Sequence, residues 1–376
     1  MKARRILHLI PSMEGGGAER QLCYLAGGLV SRGWDTHVAL LRGGPNLERL
    51  RNSGAKVHYL GGRWNYDPLI FPQIIRLIRR VKPSLVQTWF RQMDILGGAA
   101  AGLCGVGWLL SEQSSGEAYP ATIKHRLRVA LAARAAGVIC NSQGGLRYWQ
   151  EKLARPVRLW VIPNAVPVSE VDAVEPIGTA ESAIPPEAKM VLYVGRLERV
   201  KNPKVLTEAL KIVVAAPGVL AVMCGDGLLK GEVKRMLDRD GLGDRILLKG
   251  YVPDVWRWMK RADVLVSVSL FEGCPNVILE AMACGCPLVV SDIAAHRSML
   301  RDDWAVFVAP ASASSIARGV LESLSSPSGA RRRAEEARSA VRQWSVQTIS
   351  KAYEKAYLEA MGEDSSRETQ GKSCAE

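Results

Sequence analysis

Short apolar runs rich in β-branched residues alternate with longer amphipathic stretches from the start of the chain. RILHLI, THVALL, KVHYL, SLVQTW, GWLLSE, GVICNS and RLWVIPN each have the length and composition of a buried strand. Alternation of this kind predicts βαβ units and a parallel sheet, so residues 1–165 are expected to form one doubly wound α/β domain. The pattern lapses over 166–188, where VSEVDAVEPIGTAESAIPPE shows no periodic face and is expected to be a linker. A second series follows over 189–344, with MVLYVG, GVLAVMCG, RILLKG, DVLVSVS, PLVVSD and AVFVAP as its strands. The amphipathic stretch WSVQTISKAYEKAYLEAM predicts a last helix over 345–362 that could pack on either domain, and the polar tail 363–376 reads as disordered.

Two domains suit a chain of 376 residues, since one domain usually holds about 100–200. The longest uncharged stretch, Ile95 to Leu110, is short of the roughly 18 residues of a membrane span and is broken by glycines. The apolar run near the N-terminus stops at Pro11 with no small-residue cleavage site after it, so it reads as a first strand. The eight cysteines have no CxxC spacing and sit mostly in apolar runs, which points to reduced core thiols and a reducing, cytoplasmic compartment.

The charge is lopsided. Residues 1–165 carry 23 Lys and Arg against 9 Asp and Glu, whereas 166–376 carry 27 against 28, so the first half holds the whole excess of +13. Arg76, Arg79, Arg80 and Lys82 form one basic cluster, and Lys124, Arg126, Arg128 and Arg134 another on a segment rich in Ala, Leu and Val. Such faces are either simply solvated or meet an anionic partner. The chain has no zinc knuckle, no RNA-binding aromatic signature and no basic run interleaved with aromatics, so nucleic acid is set aside. A phosphorylated ligand or an anionic membrane surface fits better.

Open parallel sheets place ligands at the carboxyl ends of their strands, and the candidate chemistry lies there. After the first strand, Gly15, Gly16 and Gly17 precede a helix near Ala18, where free N–H groups and the helix dipole favour an anion. In the second domain, YVGRLERVKNP places Gly195, Arg196 and Lys201 between a strand and a helix that Pro203 opens; a guanidinium fork and a point charge suit a diphosphate. The next strand leads into Gly225, Asp226 and Gly227. In FEGCPNVILEAMACGC, Glu272 lies in the loop after the strand DVLVSVSL, which is expected to end near Leu270. Pro275 suits the first helical turn and Gly285 the helix end, so Glu280 falls within the helix and the amides near Asn276 and Val277 face the crevice. Carboxylates bracketing an anion-binding helix start suit a sugar nucleotide, although acids beside a helix N-terminus are also stabilising for their own sake.

These residues resemble the family 4 glycosyltransferases. The segments that carry the resemblance are EGGGAER, VICNSQGG, VIPNAV, VGRLERVKN, CGDG, ILLKGYVPDV and above all FEGCPNVILEAMACGCPLVVSD, whose Glu272 and Glu280 stand in the E-x7-E arrangement. The resemblance implies the GT-B fold, two Rossmann-like domains facing a central cleft, and transfer of a sugar from a nucleotide donor with retention and without metal or other cofactor. It implies that Arg196 and Lys201 neutralise the leaving diphosphate, Glu280 binds the ribose, Glu272 holds the donor sugar, and Tyr251 and Val252 hold the base. Gly16 and Gly17 would approach the phosphates, and the last helix would cross back to the first domain. Gln113 stands where many members have a histidine; glutamine cannot be a general base and would act by hydrogen bonding and positioning. The acceptor implied is a glycan or a lipid-linked sugar in bacterial cell-surface polysaccharide synthesis, met on the inner face of the plasma membrane. Two other readings stay open: a sugar-nucleotide epimerase or phosphorylase on the same fold, and a non-catalytic sugar-nucleotide-binding protein. The DxD at Asp238 and Asp240 ends a polar helical segment and reads as surface, and no histidine has metal spacing.

Overall fold

A computed structural model describes residues 4–114, 119 and 122–363. The chain forms two compact units, the first running to Ala165 and resuming at Val346, the second spanning Val166–Ser345. The expected tail lies almost wholly outside the described residues.

The first unit is built on seven strands: β1 Arg5–Leu9, β2 Asp35–Leu40, β3 Lys56–Tyr59, β4 Leu85–Trp89, β5 Gly107–Glu112, β6 Gly137–Cys140 and β7 Leu159–Val161. All pair in parallel, in the order β3-β2-β1-β4-β5-β6-β7. Every residue of β4 is buried, because helices cover both faces of a parallel sheet; its polar Gln87 and Thr88 are paired there, Gln87 donating to Ser111 Oγ at 2.5 Å and Thr88 to Asp94 Oδ1 at 2.6 Å. The helix Ile70–Val81 shows the covering device. Ile70, Ile74, Leu77, Ile78 and Val81 lie on one buried stripe, each contributing about 1.5–3 kcal/mol, while Arg76, Arg79 and Arg80 stay exposed. The helix stops at Lys82, in the left-handed region, just before Pro83.

The helix Val346–Met361 belongs to this same unit. Its Glu354 collects Arg4 at 3.2 Å, Arg32 Nε at 2.6 Å and the indole Nε1 of Trp34 at 3.0 Å, and Tyr357 donates its hydroxyl to Gln87 Oε1 in the core. Close approach is allowed by Gly28 on the facing helix Gly17–Ser31, where a Cβ would overlap the Ser350 hydroxyl.

The second unit holds β8 Lys189–Val194, β9 Val219–Cys224, β10 Ile246–Gly250, β11 Val264–Ser267, β12 Leu288–Ser291 and β13 Ala305–Val308. They too are all parallel, in the order β10-β9-β8-β11-β12-β13. In each unit the chain builds outward in one direction and then the other. The reversal falls between β1 and β4 and between β8 and β11, the position where such sheets open a crevice at their carboxyl ends.

The segment 166–188 is not a free linker. It forms short helices at Val168–Asp172 and Thr179–Ser182, and Val166, Val171, Ile177 and Ile184 join the core of the second unit. Arg257 also pins it through two bonds to Glu181, at 2.7 and 2.6 Å. Its apolar residues are spaced too irregularly to show a period, which is why it reads as linker in sequence. Among the described residues, no helix is long and apolar enough to cross a membrane, and the seven cysteines are free thiols.

Candidate active site

Four strand-end loops of the second unit are laced together by main-chain bonds. The loop after β8 donates its Gly195 N–H to the Cys224 carbonyl at the end of β9 at 3.0 Å, and its Leu197 N–H to the Asp226 carbonyl at 2.9 Å. Gly225 N–H reaches the Gly250 carbonyl at 2.6 Å, and Leu270 N–H the Val200 carbonyl at 2.8 Å. Gly225 has φ +144°, and a Cβ there would overlap the Gly195 carbonyl oxygen, so only glycine lets these two loops touch.

Within this frame Arg196 is exposed and its guanidinium pairs with Glu198 at 3.0 Å, while the Tyr193 hydroxyl donates to the Arg196 carbonyl at 3.0 Å. Burial, with Glu272 and Glu198 nearby, pushes the Tyr193 hydroxyl well above its usual pKa, so it stays a donor. A 3-10 turn, Arg199–Lys201, leads to Asn202 in the left-handed region and to Pro203 opening the helix Pro203–Val214. Asn202 fixes the turn by donating to the Pro310 carbonyl at 2.7 Å. The turn aims Lys201 at Glu272 Oε1, where the two form a largely buried ion pair. Glu272 also accepts from the Ser269 hydroxyl at 2.6 Å.

β11 ends at Ser267, three residues before the expected Leu270, because Leu270 turns away to bond Val200. Pro275 caps the helix Asn276–Cys284 and Gly285 ends it in the left-handed region. Asn276 and Val277 occupy its first two positions, where amide N–H groups lack partners within the helix and the dipole is positive. Glu280 is only 4% exposed, so it is no surface acid. Asp226 accepts from the Tyr251 amide at 2.8 Å and from Lys230, which together hold its carboxyl below the usual range. Tyr251 itself is exposed, and Val252 packs partly against the core. The structure thus gathers Gly195, Arg196, Lys201, Gly225, Asp226, Tyr251, Glu272 and the helix start at Asn276 on one edge of one sheet.

Gly16, Gly17 and Gln113 belong to the first unit. Gly16 caps the helix Gly17–Ser31, of which Gly17 is the first residue. Gln113 follows β5 and accepts from Asn141 Nδ2 at 3.4 Å. Beneath it lies a cluster that sequence reasoning missed. Arg128 is 1% exposed and bridges Asp94, 2.7 Å from its Nε, and Glu112, 3.1 Å from its Nη1. Glu112 further accepts from the Ser114 amide at 3.0 Å, Trp149 Nε1 at 3.1 Å and the Tyr119 hydroxyl. The second basic cluster therefore loses Arg128 to the core, while Lys124, Arg126 and Arg134 remain exposed. A signal was present: His125, Arg128 and Ala132 lie at helical spacing on the buried stripe of Ile123–Ala132.

Among the described residues, no group of three or more His, Cys, Asp or Glu is arranged to hold a metal. Asp238 and Asp240 are engaged by Lys234, and by Arg239 and Lys211.

Residues 15–170 match the family model Glycosyltransferase Family 4, and residues 177–340 match Glycosyl transferases group 1. A UDP-Gal:alpha-D-GlcNAc-diphosphoundecaprenol alpha-1,3-galactosyltransferase of Escherichia coli is 28% identical over 250 residues, which cover 62% of this chain and 64% of that protein. A lipopolysaccharide core biosynthesis glycosyltransferase of Rhizobium meliloti is 27% identical, over 76% of this chain and 79% of its own. The match to the Escherichia coli protein therefore spans a little under two thirds of its length. Anabaena HepE, solved in complex with UDP and glucose, shares the fold with a TM-score of 0.83 at 21% identity, over 95% of this chain and 100% of that one.

Proposed function

The chain belongs to the family 4 glycosyltransferases of GT-B fold, and from that premise we propose that it moves a sugar from a nucleoside-diphosphate donor to a lipid-linked or glycan acceptor, with retention of configuration and without a metal. The observation that carries this reading is the ion pair of Lys201 with Glu272, four residues before the N-terminus of the helix Asn276–Cys284. It joins, in one spot, a cation suited to a diphosphate and a carboxylate suited to sugar hydroxyls.

Negative charge grows on the departing diphosphate in the transition state, and stabilising it is the main catalytic task. Arg196, Lys201 and the amides of Asn276 and Val277 do this. A diphosphate draws Lys201 from Glu272, so donor binding frees the carboxylate to accept hydroxyls of the transferred sugar. Glu280 takes the ribose hydroxyls, and the Tyr251–Val252 turn, fixed by Asp226, seats the base. In the first unit, Gln113 positions by hydrogen bonding rather than by taking a proton.

The names of the Escherichia coli and Rhizobium relatives favour an undecaprenyl-diphosphate-linked acceptor and a role in surface polysaccharide assembly, and they make UDP-sugars the first donors to try. The exposed cations of the first unit, with Ile123 84% exposed beside Lys124 and Arg126, suit an anionic membrane face on the cytoplasmic side.

The test is to incubate the full chain with UDP- and GDP-sugars and lipid-linked diphosphate acceptors, following nucleoside diphosphate release. Release that depends on the acceptor is expected. Binding without turnover under every condition favours the non-catalytic reading, which the glutamine at position 113 makes a specific alternative.

A further inference from the structure

A chain of buried polar side chains runs behind Glu272, and the chemistry above leaves it unused. Ser269, 1% exposed, follows β11 and donates its hydroxyl to Glu272 Oε1. The Ser269 carbonyl accepts from the hydroxyl of Ser291, the last residue of β12, at 2.7 Å. His296 is fully buried, and its Nδ1 stands 2.8 Å from the Ser291 carbonyl and 3.2 Å from Ser291 Oγ.

The polarity of this chain is determined. A carbonyl only accepts, so the imidazole proton sits on Nδ1. Ser291 gives its own proton to Ser269, so towards His296 its hydroxyl only accepts. Burial lowers the His296 pKa and keeps the ring neutral, and among the described residues no protein group pairs with Nε2. The hydrogen bonds therefore run one way, from His296 through Ser291 to the Ser269 main chain, and then from the Ser269 hydroxyl to Glu272.

At Glu272, among the described residues, both donors arrive on the same oxygen: Ser269 Oγ and Lys201 Nζ share Oε1. Glutamate has three side-chain torsions, and a carboxylate held at one oxygen presents the other in a defined direction. Lys201 serves a diphosphate in the bound state, so it cannot supply that constraint during the reaction. Ser269 can, because its position is set from behind by β12.

We propose that His296, Ser291 and Ser269 are positioning residues that fix the Glu272 carboxylate, with Oε1 occupied and Oε2 offered to hydroxyls of the donor sugar. This rests on the reading of Glu272 as the sugar ligand. A misplacement of about 1 Å at a reacting group costs on the order of 10²-fold in rate, and that scale sets the expected effect.

The experiment compares Ser269→Ala, Ser269→Thr, His296→Leu and His296→Asn with the wild-type full chain. Affinity for UDP, which lacks the sugar, is measured by calorimetry, and kcat and KM are measured for UDP-glucose and UDP-galactose. For Ser269→Ala and His296→Leu, kcat is expected to fall about 10- to 100-fold, with UDP affinity changed less than about twofold. Ser269→Thr keeps the hydroxyl, and His296→Asn keeps an N–H near Nδ1, so both are expected to recover most of kcat. A Ser269→Ala enzyme with wild-type kcat overturns the proposal, and so does a parallel loss of UDP affinity and turnover, which marks a merely structural role. Absence of turnover in the wild-type chain with every donor is a separate outcome and sinks the transferase reading itself.

Discussion

Replacing Arg128 with methionine tests whether the first unit is held together by a buried ion cluster. Arg128 lies between Asp94 and Glu112, both fully buried, with its guanidinium 4.9 Å from the Tyr119 ring centre and 5.0 Å from that of Trp149. Two carboxylates face one cation, so the cluster already tends to an excess of negative charge. Burial, opposed by Arg128 and the Thr88 hydroxyl, pushes the Asp94 carboxyl up to about 6. Methionine fills much of the arginine volume but leaves both carboxylates without a counter-charge. Breaking a buried pair in this way costs about 3–5 kcal/mol, a large share of the ~5–15 kcal/mol that holds a domain folded. At about 2–4 °C per kcal/mol for a unit of this size, the melting temperature should fall by roughly 6–20 °C. The dependence on pH has a definite sign. Asp94 holds its proton more tightly in the folded chain than the ordinary 3.8 of an aspartate, so its contribution is fully present below about 3.8 and is lost as pH rises through about 6. Without Arg128 the folded Asp94 carboxyl binds its proton more tightly still, so the deficit of the variant should shrink as pH falls from about 8 to 5. Calorimetric melting of both proteins across that range is the assay. Adding Asp94→Asn and Glu112→Gln to Arg128→Met should restore part of the loss. A variant within about 1 kcal/mol of wild type at pH 7, below the range for a broken buried pair, or a deficit that does not change with pH, refutes the reasoning.

Glu272→Ala should lower turnover by at least about 10²-fold without weakening UDP affinity, since it releases Lys201 from its ion pair, whereas Glu280→Ala should weaken UDP binding about tenfold, the scale of one hydrogen bond to a charged group; unchanged kinetics in both variants removes the site assignment. Gly225→Ala forces a side chain onto the Gly195 carbonyl and should abolish UDP binding; calorimetry showing wild-type affinity and an unchanged melting point contradicts the close approach of those loops. Sedimentation with vesicles rich in anionic lipid should capture the full chain at low ionic strength and release it near 0.5 M salt, where the screening length is only a few ångströms; capture that persists at high salt argues against electrostatic docking.

Most of the fold could be read from hydrophobic spacing, and the failures share one cause. Strands such as Gly137–Cys140 are visible because burial on both faces favours an unbroken apolar run. The helix Asn276–Cys284 is visible because Pro275 and Gly285 bound it. What escaped depends on partners distant in sequence. Arg128 looks like one more surface cation until Asp94 and Glu112 are brought to it from β5 and the helix Phe90–Leu103. Val171, Ile177 and Ile184 look like scattered residues of a linker until the core of the second unit receives them. At the site, Lys201 and Glu272 stand out as residue types in ligand-bearing loops, but their pairing depends on the bond between Leu270 and Val200. Ser269 gave no sign beyond lying three residues before Glu272, and Ser291 gave none. His296, in SDIAAHRSM after a strand, reads in sequence as a residue that could line the crevice, and its bond to Ser291 left no sign there.

The return of the chain to its first unit governs the order in which the protein can be made. Glu354 and Tyr357 close over Arg32, Trp34 and Gln87, yet roughly 180 residues of the second unit are translated in between. At about 5–20 residues per second, a ribosome needs some 10–40 s to cover that distance. For that interval the nascent first unit presents an uncovered seam along the helix Gly17–Ser31, with the Gly28 notch and the Trp34 indole open to solvent. The second unit, continuous in sequence, can mature while the first waits for its last helix. A nascent chain stalled before Val346 should therefore be a client for chaperones that bind apolar surface, and release of the final helix should end that dependence.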